Sequence, residues 1–284
     1  MKSIVVIYHA NCPDGFGAAY AAWKKFGNRA DYFAVKPHQL PPNSLRNKEV
    51  YILDGSYPAQ LIKELKRTSK RVVIIDHHIS NKKEIKYASD YLFDLNHSGA
   101  YLAWQYFHPK KKVPKLLRYI EEGDLWKFKS PQIHTLLAYI YSLPYDFKVW
   151  DNICRRMEKL SEKKKYIALG KVISDYDARI VKAIAEKAEL VKFGKYKILA
   201  VNFPLRKYTS EVAHKLYRRR PPIGIVWHVS PDGIKVSLRS NGKVNVAKIA
   251  EKYGGGGHRA ASSFILPRNA KLPWKVINVK KIKK

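Results

Sequence analysis

Three short apolar runs near the N-terminus each end in a residue that can bind a metal ion or move a proton. Residues 4–8 (IVVIY) lead into His9, residues 49–53 (EVYIL) into Asp54, and residues 71–75 (RVVII) into Asp76-His77-His78. A continuous apolar run of this length reads as a strand buried on both faces, as in a parallel sheet. Segments 17–26 and 59–68 carry apolar residues at helical spacing, and 31–35 reads as a further short strand. Strands alternating with helices predict a mostly parallel sheet with covering helices. In open sheets of this kind, ligands bind just beyond the carboxyl ends of the strands. The three polar ends are therefore expected on one edge, close together in space.

The rest of the chain reads differently. Segments 99–107, 115–122 and 131–141 look helical, and 149–191 is a long, highly charged helical stretch that reads as a connection. Beyond it, 196–202, 224–229 and 233–238 read as strands, the last two joined by a Ser230-Pro231-Asp232-Gly233 turn. Residues 209–218 and 247–253 read as helices, and 263–266 as a strand. The expected architecture is α/β: a mostly parallel-sheet domain over 1–150, a helical linker over 151–190, and a smaller α/β domain over 191–284. Its basic tail, KKIKK at 280–284, is expected to fray.

The 284 residues are 46% hydrophobic, so the chain can build cores of ordinary size. Lys and Arg number 55 against 23 Asp and Glu, a formal charge of +32. That excess favours a polyanionic partner, nucleic acid first, over a merely Lys-rich solvated surface. Two cysteines, Cys12 and Cys154, are too few for a disulfide framework and fit a reducing, cytoplasmic setting. No segment approaches 18 consecutive apolar residues, so no membrane association is expected.

Candidate chemistry gathers at the strand ends. After the first run come His9, Cys12 and Asp14, with Pro13, Gly15 and Gly17 shaping a tight loop. Asp54 follows the second run. Asp76, His77 and His78 follow the third. A further acid, Asp124, comes after Gly123, which reads as a helix end. Carboxylate and imidazole together suit Mn²⁺, Zn²⁺ or Fe²⁺ better than Ca²⁺. Each residue also has an ordinary role: Asp54 before Gly55 is a common turn residue, and Asp124 a common helix cap. His38, His97, His108, His134, His214 and His228 read as ordinary hydrogen-bonded histidines. Near the C-terminus, Gly254-Gly255-Gly256-Gly257-His258-Arg259 reads as a glycine loop whose amides can approach an anion. His258 and Arg259, with Arg239 and Ser240 at a strand end, are candidates for phosphate contact.

With these motifs in order, from HANCPDG through LDGSYP, IIDHH and EGDLW to SLRS and GGGGHRAASSF, the chain resembles the DHH phosphoesterase superfamily, in the branch carrying a DHHA1 domain. The resemblance spans nearly the whole chain. It implies two Mn²⁺ ions, with Zn²⁺, Mg²⁺ or Co²⁺ as substitutes. Asp14, Asp54, His77 and Asp124 would hold one ion. Asp54 would bridge to a second ion, which His9 would also bind. Asp76 and His78 would serve the catalytic centre, His78 beside the phosphate. Arg239, Ser240, Gly255, Gly256, Gly257, His258 and Arg259 would bind substrate. The chain departs from the family's pattern at Cys12, which stands where an aspartate is usual. A thiolate there would favour a softer ion such as Zn²⁺.

The function implied is hydrolysis of short single-stranded RNA or DNA to nucleoside monophosphates. Two alternatives remain open: a small-nucleotide phosphatase or cyclic-dinucleotide phosphodiesterase, and a non-catalytic nucleic-acid-binding protein. The acids retained at Asp14, Asp54 and Asp124 speak against the latter. RNA or DNA preference, polarity and oligomeric state, a homodimer among the options, are left open.

Overall fold

The computed structural model describes residues 2–277 apart from 38 and 130, so the basic tail and His38 lie outside the described residues. The chain divides into two compact units, 1–174 and 175–284.

The first unit runs β1 (Ile4–His9), α1 (Pro13–Phe26), β2 (Ala30–Val35), β3 (Glu49–Leu53), α2 (Ala59–Thr68), β4 (Arg71–Asp76) and β5 (Asp90–Phe93). Then follow α3 (Gly99–Phe107), α4 (Lys115–Asp124), α5 (Pro131–Ser142), α6 (Phe147–Met157) and α7 (Leu160–Glu186), the last crossing the boundary between the units. Its sheet has the order β2-β1-β3-β4-β5, parallel throughout. The three strands with polar ends are thus direct neighbours, with Tyr8 opposite Leu53 and Leu53 opposite Ile75.

Side chains alternate across a strand, and here both faces are covered, which is why the strands read as unbroken apolar runs. Val6, Tyr51, Leu53, Val73 and Ile75 face a core built with α1, α3, α4, α5 and α6. Val5, Ile7, Val50, Ile52, Val72 and Ile74 face a second core with Ile62 and Leu65 of α2. Helix α1 is alanine-rich where it is most buried: Ala18, Ala19, Ala21 and Ala22 are fully shielded from solvent, so α3 approaches it closely.

The second unit adds β6 (Glu189–Phe193), β7 (Tyr196–Asn202), α8 (Thr209–Arg219), β8 (Ile223–Ser230), β9 (Gly233–Ser240), α9 (Val246–Glu251), β10 (Gly256–His258), β11 (Ala261–Leu266) and β12 (Lys275–Val276). They form one mixed sheet in the order β10-β11-β9-β8-β7-β6-β12, with β7 and β8 its parallel pair. One face packs on α8 and the end of α7 through Val201, Val212, Leu216 and Val181. The other buries Ile198, Ile225, Val236, Phe264 and Trp274.

The α/β architecture agrees with the expectation, with three differences. The stretch 151–190 is not a separate linker. Trp150, Ile153, Cys154 and Met157 of α6 and Tyr166 of α7 sit in the first unit's core, while Leu190 and Val191 belong to a strand of the second sheet. The glycine-rich segment is a loop only in part, because Gly256–His258 pairs with Ala261–Ser263 as an edge strand. Gly123 does not end its helix. It lies within the last turn of α4, where Tyr141 and Leu137 leave no room for a Cβ. Among the described residues, no helix is long and apolar enough to cross a membrane.

Candidate metal centre at the carboxyl edge of the first sheet

Asp54 is the hub. It directly follows β3 with φ 55°, a left-handed conformation that Asp adopts more readily than most residues. Its amide donates to Ile75 O at 2.9 Å, which fixes the turn against β4. Its carboxylate is buried and faces two imidazoles: Oδ1 lies 3.2 Å from His77 Nε2 and Oδ2 lies 3.2 Å from His9 Nδ1.

On the His77 side, Asp14 Oδ2 and Asp124 Oδ2 each lie 3.6 Å from the same Nε2. Three carboxylates therefore converge on one ring nitrogen. On the His9 side, a ligand atom from each of His9, Cys12 and Asp54 lies within 4.8 Å of the others. These residues come from four separate places in the chain, and the parallel sheet with α4 brings them together.

Neighbouring groups hold the carboxylates in place. Asp14 lies in the first turn of α1, after a Cys12 N-cap and Pro13. Its two oxygens accept the amides of Gly99 and Ala100 at 2.7 and 3.0 Å, at the N-terminus of α3. The positive end of that helix favours a carboxylate. Asp76 is fully buried and saturated: Oδ1 accepts from the His77 and His78 amides and lies 2.7 Å from His78 Nδ1, and Oδ2 accepts from Asn81 Nδ2 at 2.6 Å. It orients the loop and the His78 ring, and a carboxylate oxygen of Asp76 lies within 4.8 Å of ligand atoms of Asp54, His77 and His78.

The electrostatics are those of crowded like charges. Burial, with Asp54 and Asp124 nearby, pushes the Asp14 carboxyl well above the usual carboxylate range. Desolvation raises Asp124 also, against the pull of His77. Burial would raise Asp54 too, yet its contacts with His77 and His9 hold it well below the usual range. Burial works against a charged His77, but Asp54 and the other acids win and raise it to about 10. Against the same opposition, Asp76 raises His78 to about 9. Burial first, then the three acids, push the Cys12 thiol well up. The cluster calls for positive charge, and carboxylate–imidazole donor sets of this kind suit divalent metals.

Several residues here carried no signal in the sequence. Gly99 packs so closely that a Cβ would lie 2.7 Å from Asp54 Cβ and 2.9 Å from Asp14 Oδ2. Asn81 holds Asp76. Glu121 Oε2 accepts the Ser98 amide at 3.1 Å and lies 3.0 Å from His97 Nδ1, bracing the start of α3. Tyr141 packs on the Gly123 backbone beside Asp124. Only the close sequence neighbourhood of these residues to motif positions marks them.

In the second unit, the remaining candidates lie on one end of the sheet. Arg239 donates to Leu238 O and to Ser210 Oγ at 2.9 and 2.8 Å. Ser240 is buried and spends its hydroxyl on Val244 O at 2.8 Å, so it shapes the 240–244 turn. Arg259 Nε donates to Gly242 O at 3.0 Å. Gly255 abuts Ser263 O and Phe264, where no side chain fits, and Gly257 has φ 134°. Gly255 and Gly257 are thus required by strand packing and backbone conformation. Gly256 and His258 are partly exposed on the edge strand.

Residues 205–278 match the DHHA1 domain family. The chain is 32% identical over 287 residues to an uncharacterized protein of Acanthamoeba polyphaga mimivirus, covering 92% of this chain and 66% of that protein, just under two thirds of its length. Its fold is similar to that of an exopolyphosphatase-related protein from Bacteroides fragilis, with a TM-score of 0.57 at 12% identity over 95% of this chain and 88% of the other. A DHH domain described as a member of a family of ribosomal proteins gives 0.57 at 16% identity, over 94% and 83%. These likenesses are of fold, and the strand-end cluster lies at Asp76-His77-His78 and the neighbouring strand ends.

Proposed function

We propose that this chain is a DHH-type phosphoesterase with a C-terminal DHHA1 domain, a divalent-metal-dependent phosphodiesterase that hydrolyses short single-stranded oligonucleotides to nucleoside monophosphates. One observation carries the reading: the buried Asp54 carboxylate is shared between His77 and His9 at 3.2 Å each, with further acids on the His77 side and Cys12 on the other. A shared carboxylate is what a pair of ions about 3.5–4 Å apart requires. Asp14, Asp54, His77 and Asp124 would hold one ion, and Asp54, His9 and Cys12 the other. Mn²⁺ is the first expectation, given the carboxylate-rich set. Bound there, the ions would neutralise charge on the phosphate and acidify the attacking water.

The chain's own residues do the rest. Asp76 commits Nδ1 of His78 and fixes the ring angle, so any contact of His78 with a phosphate is made through Nε2. Asp14 locks the cluster to the start of α3. In the DHHA1 domain, Arg239, His258 and Arg259 supply the groups for contact with further phosphates. The charge of +32 favours a substrate with several phosphates over a single nucleotide.

The test is turnover of oligoribonucleotides and oligodeoxyribonucleotides of graded length, beside a cyclic dinucleotide, with and without Mn²⁺. Rates that depend on Mn²⁺ and peak on the short oligomers support the reading. A peak on the cyclic dinucleotide overturns the substrate class, and no turnover overturns the activity. Asp54→Asn keeps size and the left-handed turn. It is expected to lower the rate by about a hundredfold or more and to reduce the bound metal per chain. Retention of about a tenth of the wild-type rate, a barrier change of only about 1.4 kcal/mol, would exclude the bridging role.

A further inference from the structure

His97 and Glu121 form a pair that the strand-end cluster does not use. His97 Nδ1 lies 3.0 Å from Glu121 Oε2. A carboxylate only accepts, so Nδ1 carries the hydrogen and Nε2 is left as the ring's other nitrogen. Tyr101, in the first turn of α3, covers one face of the ring, with centroids 3.9 Å apart and planes within 5°. Asp94 Oδ1 accepts from N and Nδ2 of Asn96 at 2.8 and 3.0 Å, so the turn that delivers His97 is closed as well. Among the described residues Nε2 meets no partner, and the His97 side chain is 31% exposed. The imidazole is thus fixed in tautomer and angle with one nitrogen uncommitted.

Both members stand next to the cluster, by separate routes through the chain. His97 is two residues before Gly99, so their Cα atoms are within about 7 Å. A Cβ on Gly99 would lie 2.7 Å from Asp54 Cβ. Glu121 is three residues before Asp124 in α4, a spacing that sets their Cβ atoms about 5–6 Å apart on one helix face. Yet His97 belongs to none of the groups of side chains placed to share an ion, whereas His9, His77 and His78 all do. Bracing α3 does not require it either, because Glu121 already accepts the Ser98 amide at 3.1 Å. A carboxylate-oriented imidazole beside an ion-binding cluster, and outside it, matches a group that moves a proton.

We propose that His97 is the general acid of the reaction, donating the Nε2 proton to the oxygen that leaves phosphorus. This rests on the proposed phosphodiesterase function and adds the step that function needs on the leaving side. A water attacks phosphorus, and the bond to the leaving nucleoside oxygen breaks. The electron pair of that bond takes the Nε2 proton, so a hydroxyl departs. His97 is left neutral, still donating its Nδ1 hydrogen to Glu121. The proton shed by the attacking water passes to solvent, and solvent restores the imidazolium. Glu121 is a positioning residue that holds the tautomer and angle of the ring.

The experiment compares kcat with Mn²⁺ on two substrates. One is a short oligoribonucleotide, whose leaving alkoxide needs a proton. The other is the p-nitrophenyl ester of thymidine monophosphate, whose nitrophenolate departs without one. His97→Asn keeps a donor towards Glu121, and His97→Gln is a second variant with a longer amide. In both, kcat on the oligonucleotide should fall about a hundredfold or more, the common worth of a positioned acid, while kcat on the nitrophenyl ester stays within about threefold. Tm and bound Mn²⁺ should not change. Glu121→Gln should show the same selectivity with a smaller loss. Equal losses on the two esters would overturn the proposal, since a phosphate contact or a packing role makes no distinction between leaving groups. So would an unchanged oligonucleotide rate in His97→Asn. Either result, with wild type turning over both esters, sinks the acid and spares the phosphodiesterase reading. Wild type that hydrolyses neither ester sinks both.

Discussion

His77 is the residue on which protons and ions compete. Without metal, its folded value of about 10 and the value of about 9 for His78 both exceed the ordinary 6.5. Both shifts are upward, so charged imidazoles stabilise the ion-free fold fully below about pH 6.5. That contribution is lost as pH rises through about 9 and then about 10. An entering ion must expel the His77 proton, so metal affinity should rise with pH across the same interval, by up to about tenfold per unit. Calorimetry in buffers of different ionisation enthalpy checks this: about one proton or more should be released per chain near pH ~7.5, and none would contradict it. Cys12 is the other informative position. Cys12→Asp is expected to keep or raise activity with Mn²⁺ and weaken any preference for Zn²⁺, since carboxylate is the harder ligand. Identical Mn²⁺ and Zn²⁺ dose–response curves for wild type, Cys12→Ser and Cys12→Asp would remove the thiol from the site. At this scale the sequence announced the groups that carry charge, because three polar strand ends on one parallel sheet are brought together at its carboxyl edge. It did not announce their supports. Asn81 and Gly99 look like any loop asparagine and any helix-start glycine until the fold brings Asp76 and Asp14 against them.

The N-terminus of α3 is the element on which the site depends most. Ser98 caps it by accepting the Tyr101 amide at 3.4 Å, and Asp14 takes its first two amides from 85 residues away. Gly99→Ala would place a methyl against both Asp14 and Asp54. The expected cost is about 1–3 kcal/mol of stability, as for overpacking elsewhere, together with a large loss of activity. Denaturant unfolding beside the hydrolysis assay measures both, and a variant with native stability and rate would show that this contact is not tight. Elements differed in how readily they could be read. β1, β3 and β4 are buried on both faces and stand out as apolar runs. β5, β6, β10 and β12 are short and border the sheets or carry charges, as in Glu189–Phe193, whose Lys and Glu blended with the charged helix before it. α1 begins four residues earlier than its alanine run, because Pro13 opens the helix and the buried Asp14 belongs to its first turn.

Across the whole molecule, 55 cationic side chains make the field strongly positive. If oligonucleotides are the substrate, KM should climb with salt. Log affinity should fall linearly with log salt at a slope of about −0.7 per phosphate neutralised. Titration between about 50 and 200 mM salt reads the slope, and a flat response would argue for a small, weakly charged substrate. Two sheets and a DHHA1 domain at the C-terminal end were legible from periodicity and motif order. The point of division was not, because α7 runs through it without any change in helical pattern. One more property follows from the double duty of Asp14. The group that faces His77 is also the group that ties down α3, so an ion held at the proposed centre would bear on that helix through Asp14. Ligands that bind the folded chain alone add to its stability in proportion to the logarithm of their concentration. If the proposed ions bind there, copies of this protein made while the metal is scarce would be cut by proteases sooner than loaded ones.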